Sequence, residues 1–507
     1  MDKKAIHKVI RNILANQIGF LFSVIVTFFL SPFVVHRLGA TWYGIWVLIV
    51  SVTGNYGLLA FGIQSATTRY IAFAAARRDT EKMNGYFNTA FSFLLLSAAL
   101  AVLIGGIVAF FIPRICILPA GMVHAARISC LLVSMSAAAT FAFAVFESSL
   151  VAHQHFHITS AIGICGTLLR AGMTVWLLLH GYGIVSLAAL TAGLTFLTGA
   201  MKSVAAFKLF RWLRISFRSA RRDYLKELMS YSYKSFTVGI AVALVYQCDL
   251  LIVGMHFPPA EITVYSLAGM LIIYILDFIR AIAFTFGPFA TELYAKNQIA
   301  EMHNFFFRGS FLLYSLGGLI VSGLIVFGKE FFTLWMGPQY AYSAVILGVL
   351  AIPQFFTTGA RVGSSLLVGM AKIGPMAIAA LCEGISNLVL SLILVRHFGL
   401  LGVAIGTLVP GLVNNLWLPW YVSRVFKIKP ISFYLRSMLP GLAVGAAGFI
   451  AGYFVRAIFS RILWSAFIIQ ISLVIICCLM FSFFIFSRQN GVSPLKVFLP
   501  GVEREAE

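Results

Sequence analysis

The chain alternates long apolar stretches with short polar segments, and the apolar stretches set its architecture. A helix of about 20 apolar residues crosses the hydrocarbon core of a bilayer. The 507-residue sequence offers fourteen stretches of this kind, rich in Gly, Ala, Leu, Ile and Phe, a composition typical of packed membrane helices. The pattern predicts an all-α polytopic membrane protein with spans near 12–36, 42–67, 87–112, 122–151, 158–180, 183–207, 229–255, 262–290, 305–328, 341–369, 373–395, 401–423, 437–458 and 464–487.

Several landmark residues recur in the same order in the two halves of the chain. At an offset of 216 residues, Ser148-Ser149-Leu150 aligns with Ser364-Ser365-Leu366, and nearer the start of each half the offset becomes 222, where Tyr43 aligns with Tyr265. A repeat of six spans returns the chain to the side it came from, so the predicted symmetry axis runs along the membrane normal. Two pseudo-symmetric six-helix lobes suit alternating access, in which one lobe rocks against the other.

The repeat also predicts the domain organisation, because the last two spans have no counterpart in it. The predicted domains are an N-lobe of helices 1–6 (residues 1–209), a basic cytoplasmic linker (210–228), a C-lobe of helices 7–12 (229–423), two extra helices (424–487) and a cytoplasmic tail (488–507).

Composition and charge support a membrane location. The chain is 61% hydrophobic and 10% charged, too few charges for the surface of a soluble protein of this length. Of its 37 Lys and Arg, 26 fall on the side of the N-terminus and seven on the other side, and eight of the 26 lie in the segment 202–226. Because Lys and Arg favour cytoplasmic loops, both termini are predicted to be cytoplasmic. The net charge of +21 is spread over short loops, which argues against nucleic-acid binding.

Ionisable residues inside the spans are the first candidates for function, because each costs about 2.5–3.5 kcal/mol near the bilayer centre. One interpretation is a water-filled cavity in which the cations bind an anionic substrate and the acids couple an ion. The other is that opposite charges pair and lock helices together, Asp277 with Arg280, and Glu383 with Arg170 or Arg361. The candidate substrate-binding cations are Arg170, Lys234, Arg280 and Arg361, and the candidate ion-coupling acids are Asp249, Asp277 and Glu383.

Polar residues of the first two spans are further candidates. Asn16 and Gln17 in span 1, with Asn55 and Gln64 in span 2, are positioned to line the same cavity and bind sugar hydroxyls, or to form hydrogen bonds between helices. Arg69 closes span 2, where it would receive an anionic head group or act as a topology anchor.

No motif in the sequence indicates an enzyme or a metal site. The run HQHFH at 153–157 places three histidines in a short cytoplasmic turn. His153 and His157 are four residues apart and would share a helix face, a known metal spacing, but no Asp, Glu or Cys cluster accompanies them. Walker loops, nucleophile elbows and paired-carboxylate sites are absent from the sequence. We therefore expect no cofactor, with coupling to a Na⁺ or H⁺ gradient or to the membrane potential.

Four sequence segments resemble a known family, the Wzx-type lipid-linked oligosaccharide flippases of the multidrug/oligosaccharidyl-lipid/polysaccharide (MOP) superfamily. The segments are FFLSPFVVHRLGATWYGIWVLIVSVTGNYGLLAFGIQSATTRYIA, YQCDLLIVGMHFPPAEITVYSLAGML, LWMGPQYAYSAVILGVLA and GLLGVAIGTLV. The resemblance implies a V-shaped two-lobe fold that flips an undecaprenyl-diphosphate-linked repeat unit for surface polysaccharide synthesis, O-antigen among them. It also implies a cationic lumen, for which Lys234, Arg280 and Arg361 are this chain's candidates, and ion coupling through Asp249 and Asp277.

Three other functions remain open from the sequence. A multidrug-and-toxin-type exporter shares the two-lobe plan but has twelve spans. Lipid II flippases, which are relatives, carry arginines within their first two spans, and spans 1 and 2 of this chain have none in the middle. A scaffold of a glycan-synthesis complex would gain nothing from a duplicated pair of lobes. The expected partners are a lipid-linked glycan, membrane lipids and other polysaccharide-assembly membrane proteins.

Overall fold

The computed structural model describes residues 22–283, 286–458 and 463–490, and within these ranges the chain is helical and contains no strand. Thirteen helical segments of the described chain are long and apolar enough to cross a membrane, and a shorter apolar helix, Phe22–Leu38, precedes them. The all-α polytopic fold with about fourteen spans is thereby confirmed.

The described helices fall into two compact units, the first ending at Ser266 and the second beginning at Leu267. The helices that begin in the first unit are α1 (Phe22–Leu38), α2 (Ala40–Gly54), α3 (Ile63–Ala76), α4 (Thr80–Ile115), α5 (Val123–Ala152), α6 (Phe156–Leu179), α7 (Ile184–Leu209), α8 (Arg222–Tyr246), α9 (Cys248–His256) and α10 (Pro259–Ala283). Short 3₁₀ turns at Asn55–Ala60, Ala120–Met122 and Phe217–Ser219 connect some of them.

The second unit takes the remainder of α10 and the helices that follow it. These are α11 (Phe286–Ala295), α12 (Ile299–Trp335), α13 (Ser343–Gly369), α14 (Gly374–Phe398), α15 (Leu400–Val425), α16 (Pro430–Phe433), α17 (Leu439–Ile458) and α18 (Trp464–Asn490). A 3₁₀ turn at Pro338–Tyr340 precedes α13, and a π-helical turn at Tyr434–Met438 joins α16 to α17.

The predicted repeat is visible in the lengths of the helices. Helices α7 and α15 each contain 26 residues, and their first residues, Ile184 and Leu400, are 216 positions apart. Helices α4 and α12 contain 36 and 37 residues, and α6 and α14 contain 24 and 25. Matched lengths in the same order are expected of a duplicated six-helix unit.

Several helices are longer than the apolar stretches that predict them. Helix α12 would be about 55 Å long at 1.5 Å per residue, well beyond a hydrocarbon core of about 30 Å. Polar residues at the ends of the helices are therefore helical themselves, among them Arg114 of α4, Lys329 of α12 and Arg456 of α17.

The basic linker predicted at 210–228 is fixed on the first turns of α4, and its residues from Arg222 onward already belong to α8. The Asn88 side chain donates to the Arg214 carbonyl at 2.9 Å and accepts from the Ser216 amide at 2.7 Å. The Asn84 side chain accepts from the Arg214 amide at 3.0 Å. Two asparagines one helical turn apart thus give the linker backbone partners that a strand or helix would otherwise supply.

Candidate functional site

Two interrupted helices meet inside the first unit. Helix α8 ends at Tyr246 and α9 begins at Cys248, with a turn at Gln247, while α2 ends at Gly54 and continues as a 3₁₀ turn. The Ser51 hydroxyl donates to the Gln247 carbonyl at 3.1 Å. Backbone groups released at membrane depth need such a partner, and interrupted helices mark binding sites in many transporters.

Asp249 lies two residues beyond this interruption, in the first turn of α9. Its side chain is 6% exposed, and the Tyr265 hydroxyl of α10 donates to its Oδ2 at 2.7 Å. A carboxylate in the first turn of a helix is stabilised by the unpaired amides there. The position supplies what a buried carboxylate needs, a hydrogen-bond donor and a favourable helix dipole.

The polar candidates of the second predicted span also lie in the first unit. Asn55 donates to the Ser51 carbonyl of its own helix at 3.0 Å, and the Gln64 side chain is exposed. The Arg69 guanidinium lies over the Tyr231 ring of α8, 4.6 Å from its centroid. Asn16 and Gln17 lie outside the described residues. Substrate binding by these residues stays a prediction.

In the second unit, three helices bring Arg361 of α13, Glu383 of α14 and Asn414 of α15 together. Asn414 Nδ2 donates to Glu383 Oε2 at 2.5 Å, and Arg361 interacts electrostatically with the same carboxylate. Gly411 lies one turn before Asn414, and a Cβ there would approach Glu383 Oε1 to 3.6 Å. Of the two arginines expected to pair with Glu383, Arg361 is the one that interacts electrostatically with it.

Gln354 extends this polar surface along α13. It lies seven residues before Arg361, which is two helical turns and hence the same helix face. Its side chain is 6% exposed, and its Oε1 has no hydrogen-bond partner among the described residues. Sequence reasoning missed Gln354 and Asn414, although the seven-residue spacing from Arg361 was a usable signal for Gln354.

Asp277 and Arg280 of α10 form the ion pair that their spacing predicts. Arg280 Nη1 lies 2.8 Å from Asp277 Oδ1, with the side chains 47% and 25% exposed. Arg170 is exposed on α6, and no ion pair joins it to another residue of the described chain. Lys234 belongs to α8, but its side chain lies outside the described residues.

Two further ion pairs were not predicted. Lys202 Nζ of α7 lies 3.0 Å from Glu147 Oε2 of α5, although the sequence analysis counted Lys202 with the basic cytoplasmic segment 202–226. Arg456 of α17 lies 2.6 Å from Glu330 of α12, which is 13% exposed. These pairs join different helices, so they fit the structural interpretation of charges in the spans.

The histidine run at 153–157 does not form one helix face. Helix α5 ends at Ala152 and α6 begins at Phe156, so a turn separates His153 from His157. The His153 ring packs against Phe210, with centroids 4.2 Å apart. In the ranges that the structure describes, no three metal-binding side chains converge. The expectation of a shared helix face was wrong, because the chain turns there.

Each unit thus contains helical carboxylates that interact with a neutral hydrogen-bond donor, with an arginine, or with both. Asp249 is held by a tyrosine, Glu383 by an amide and an arginine, and Asp277 by an arginine. A cation shared with a carboxylate can be transferred to an anionic ligand when a proton or metal cation neutralises the acid.

Comparison with known proteins assigns this architecture. A family model described as "Polysaccharide biosynthesis protein" matches residues 38–345. The chain is 27% identical over 439 residues to the uncharacterized membrane protein EpsK of Bacillus subtilis, covering 82% of this chain and 84% of that protein. It is 23% identical over 214 residues to the probable low-salt glycan biosynthesis flippase Agl15 of Haloferax volcanii, covering 42% and 44% of the two chains.

Solved structures share the fold at low sequence identity. The lipid II flippase MurJ in an inward closed conformation has a TM-score of 0.72 and 17% identity, covering 94% of this chain and 99% of its own. An inward-facing multidrug resistance MATE family transporter of the MOP superfamily has a TM-score of 0.60 and 16% identity, covering 81% and 96%. The fold is that of MOP-superfamily transporters, and it includes the two additional helices α17 and α18.

Proposed function

Because the chain belongs to the polysaccharide biosynthesis protein family, we propose that it flips an undecaprenyl-diphosphate-linked oligosaccharide across the bacterial inner membrane by alternating access. The family match over residues 38–345 carries the proposal, since it spans both interrupted helices and the start of the second unit. The likeness to Agl15, described as a probable glycan biosynthesis flippase, supports a lipid-linked glycan as the cargo. The cargo is moved rather than chemically changed, so the protein acts as a transporter.

Arg280 and Arg361 are the proposed phosphate-binding cations of the described chain, with Lys234 as a third. Arg280 is half exposed while it contacts Asp277, so a phosphate oxygen can reach it without first breaking a buried contact. Arg361 shares Glu383 with Asn414, and the amide keeps the carboxylate hydrogen-bonded when the arginine turns to a ligand.

The acids Asp277, Glu383 and Asp249 are the proposed ion-coupling groups. Neutralising Asp277 or Glu383 with a proton or Na⁺ frees its arginine, so ion binding and phosphate binding favour each other, and the coupling is reciprocal. Glu383→Gln should then bind the diphosphate without an ion gradient and lose the dependence of flipping on that gradient.

The topology follows from the charge distribution. With the segment 202–226 on the cytoplasmic side, both termini are cytoplasmic and the lipid-linked cargo enters from the inner leaflet. The membrane potential contributes about 2.3 kcal/mol per charge moved per 100 mV.

The test is flipping of a fluorescent undecaprenyl-diphosphate oligosaccharide in proteoliposomes. Wild type should move the lipid, and Arg280→Gln and Arg361→Gln should each slow it at least about tenfold, which equals about 1.4 kcal/mol of lost stabilisation. Arg218→Gln, an exposed cation of the linker, is the matched control and should flip at the wild-type rate.

Two outcomes would replace the proposal. Expulsion of a cationic dye down an ion gradient without glycan flipping would identify a drug exporter, the activity associated with the MATE structures. Equal movement of lipid II and the oligosaccharide lipid would show that the cargo is recognised by its diphosphate alone.

A further inference from the structure

A groove in the second unit combines an apolar wall with a short row of charged and amide side chains. Its volume is about 400 Å³, and it lies between α11, α12 and α18. The wall consists of aromatic and aliphatic side chains: Phe286, Phe289, Phe305, Leu312 and Phe486. The polar row is Glu301, Asn304 and Arg308. None of these residues takes part in the proposed flipping site.

The position of Arg308 along α12 places it at the head-group level of a bilayer. Arg308 and Lys329 are 21 residues apart on one continuous helix, which corresponds to about 31 Å at 1.5 Å per residue. A hydrocarbon core is about 30 Å thick. The two cations therefore mark the two polar boundaries of the core. Leu312 lies one turn deeper than Arg308, and Phe486 stacks against Phe311 at nearly the same depth, so this part of the wall lies on the acyl-chain side of Arg308.

The polar row presents two opposite charges in a fixed order. Glu301, Asn304 and Arg308 recur at intervals of three and four residues, so they form one stripe along α12. Glu301 lies two turns, or about 10 Å, nearer the polar end of the helix than Arg308. All three side chains are exposed, and in the described chain no ion pair joins Arg308 or Glu301 to another residue.

We propose that this groove binds an aminophospholipid of the phosphatidylethanolamine class. The lipid phosphate would accept hydrogen bonds from the Arg308 guanidinium, and the ammonium, which lies nearer the water, would donate to the Glu301 carboxylate. Asn304 lies between them and donates to phosphate or ester oxygens. The acyl chains would lie along the deeper part of the wall, at Leu312 and Phe486.

The charge order favours this lipid over other occupants. A phosphodiester and an ammonium match one arginine and one carboxylate, in the same order from the core outward. An anionic glycerol head group would meet the Glu301 carboxylate without a cation to offset it. A diphosphate carrier with an attached glycan brings more negative charge than one arginine matches, and more volume than the groove offers.

Native mass spectrometry of the full-length protein, equilibrated with equal amounts of phosphatidylethanolamine, phosphatidylcholine and phosphatidylglycerol, tests the proposal. Wild type should retain phosphatidylethanolamine about fivefold over phosphatidylglycerol, the effect of one exposed charge pair. The same preference is expected over phosphatidylcholine, because its quaternary ammonium has no N–H to donate to Glu301. Glu301→Gln should bring that ratio close to one, and Arg308→Gln should lower retention of all three. Arg218→Gln, on the linker of the other unit, should behave as wild type.

Three results would overturn the assignment. Retention of phosphatidylglycerol equal to or above that of phosphatidylethanolamine would show that Glu301 does not select the head group. An unchanged ratio in Glu301→Gln would show the same. Displacement of the bound lipid by an equal amount of undecaprenyl phosphate would assign the groove to the carrier lipid. Because the substituted side chains are exposed, melting temperatures equal to wild type confirm that lipid binding, not folding, has changed.

Discussion

Gly44 lies where two helices pack so closely that any side chain would clash with backbone atoms. Helix α2 approaches the start of α10 so closely that a Cβ on Gly44 would lie 1.8 Å from the Pro259 carbonyl oxygen. The Thr263 hydroxyl donates to the Ala40 carbonyl at 2.6 Å one turn away, and Leu48 packs against Gly254 on the other side. Gly44→Ala therefore cannot be accommodated by turning a side chain, because a backbone atom is in the way.

The expected loss of unfolding free energy in Gly44→Ala is compared with the effect of the same substitution at Gly193, where an added Cβ would meet no other atom. Overpacking costs about 1–3 kcal/mol, and separating the helices also loses the Thr263 hydrogen bond, worth about 1 kcal/mol. Alanine gains about 1 kcal/mol over glycine inside a helix. Gly193 of α7 has no atom within 4 Å of an added Cβ, so Gly193→Ala carries only the gain. The two variants should differ by about 2–4 kcal/mol.

Melting temperature in detergent gives the first comparison, with Gly193→Ala at or above wild type and Gly44→Ala below it. A second measurement reports the contact itself. Ala40→Cys with Thr263→Cys, in a chain whose seven native cysteines have been replaced, should cross-link readily in the wild-type background and poorly with Gly44→Ala. Gly193→Ala should leave the cross-link unchanged.

The reasoning is refuted if Gly44→Ala melts at the temperature of Gly193→Ala and cross-links as efficiently. Reduced cross-linking at an unchanged melting temperature has a different meaning. It would show that the helices separate without unfolding, as expected if their contact opens during alternating access.

Three further predictions concern the ion pair of α17, the linker and the start of α4. Arg456→Gln should destabilise the protein by about 1–3 kcal/mol because it leaves Glu330, 13% exposed, without its cation, and Arg456→Gln with Glu330→Gln should recover part of the loss in melting temperature. Asn88→Ala removes two partly buried hydrogen bonds to the linker and Asn84→Ala removes one, so Asn88→Ala should speed tryptic cleavage of the linker more. The Lys82 amide, donating to Asp79, lowers the pKa of that carboxyl, so the cap stabilises α4 above the ordinary Asp pKa and is lost as the pH falls through the lowered value. In wild type, amide hydrogen exchange in the first turn of α4, corrected for intrinsic rates, should become faster as the pH falls through the lowered pKa of Asp79. In Asp79→Asn the corrected exchange rate should not depend on pH.

Span positions were predictable because the bilayer enforces a local rule. A stretch of about 20 apolar residues must be helical when its backbone has no water to bind. The stretch 183–207 accordingly became Ile184–Leu209, and 464–487 became Trp464–Asn490. The repeat was also predictable, because it can be found by comparing the sequence with itself at a fixed offset.

Helix interruptions and overlong helices were not predictable from hydropathy. Nothing in the apolar run 229–255 marks Gln247, because the turn there is stabilised by Ser51, almost two hundred residues away. The extension of α12 to Ile299 depends on polar residues that stay helical outside the core. Hydropathy measures transfer to lipid and carries no information about either effect.

Candidate side chains were predictable one at a time but not as clusters. An ionisable residue stands out in an apolar stretch, so Glu383, Arg361 and Asp277 could be found from the sequence. A spacing of three residues was enough to pair Asp277 with Arg280. Pairing across helices depends on rotation and register, which one sequence does not contain. Lys202 and Glu147 are 55 positions apart and meet only because α5 packs against α7.

The observed pairings change how the excess of intramembrane cations bears on function. Counted singly, the charges in the spans leave a net of +1, too little to establish an anion site. In the structure Asp277 pairs with Arg280, and Glu383 interacts electrostatically with Arg361, so an anionic ligand must compete with a carboxylate for either arginine. Such competition is unfavourable for a passive anion-binding surface, but it is what a carrier needs: an ion that neutralises the acid admits the cargo, and loss of the ion expels it. Paired charges therefore support coupled transport more strongly than unpaired cations would.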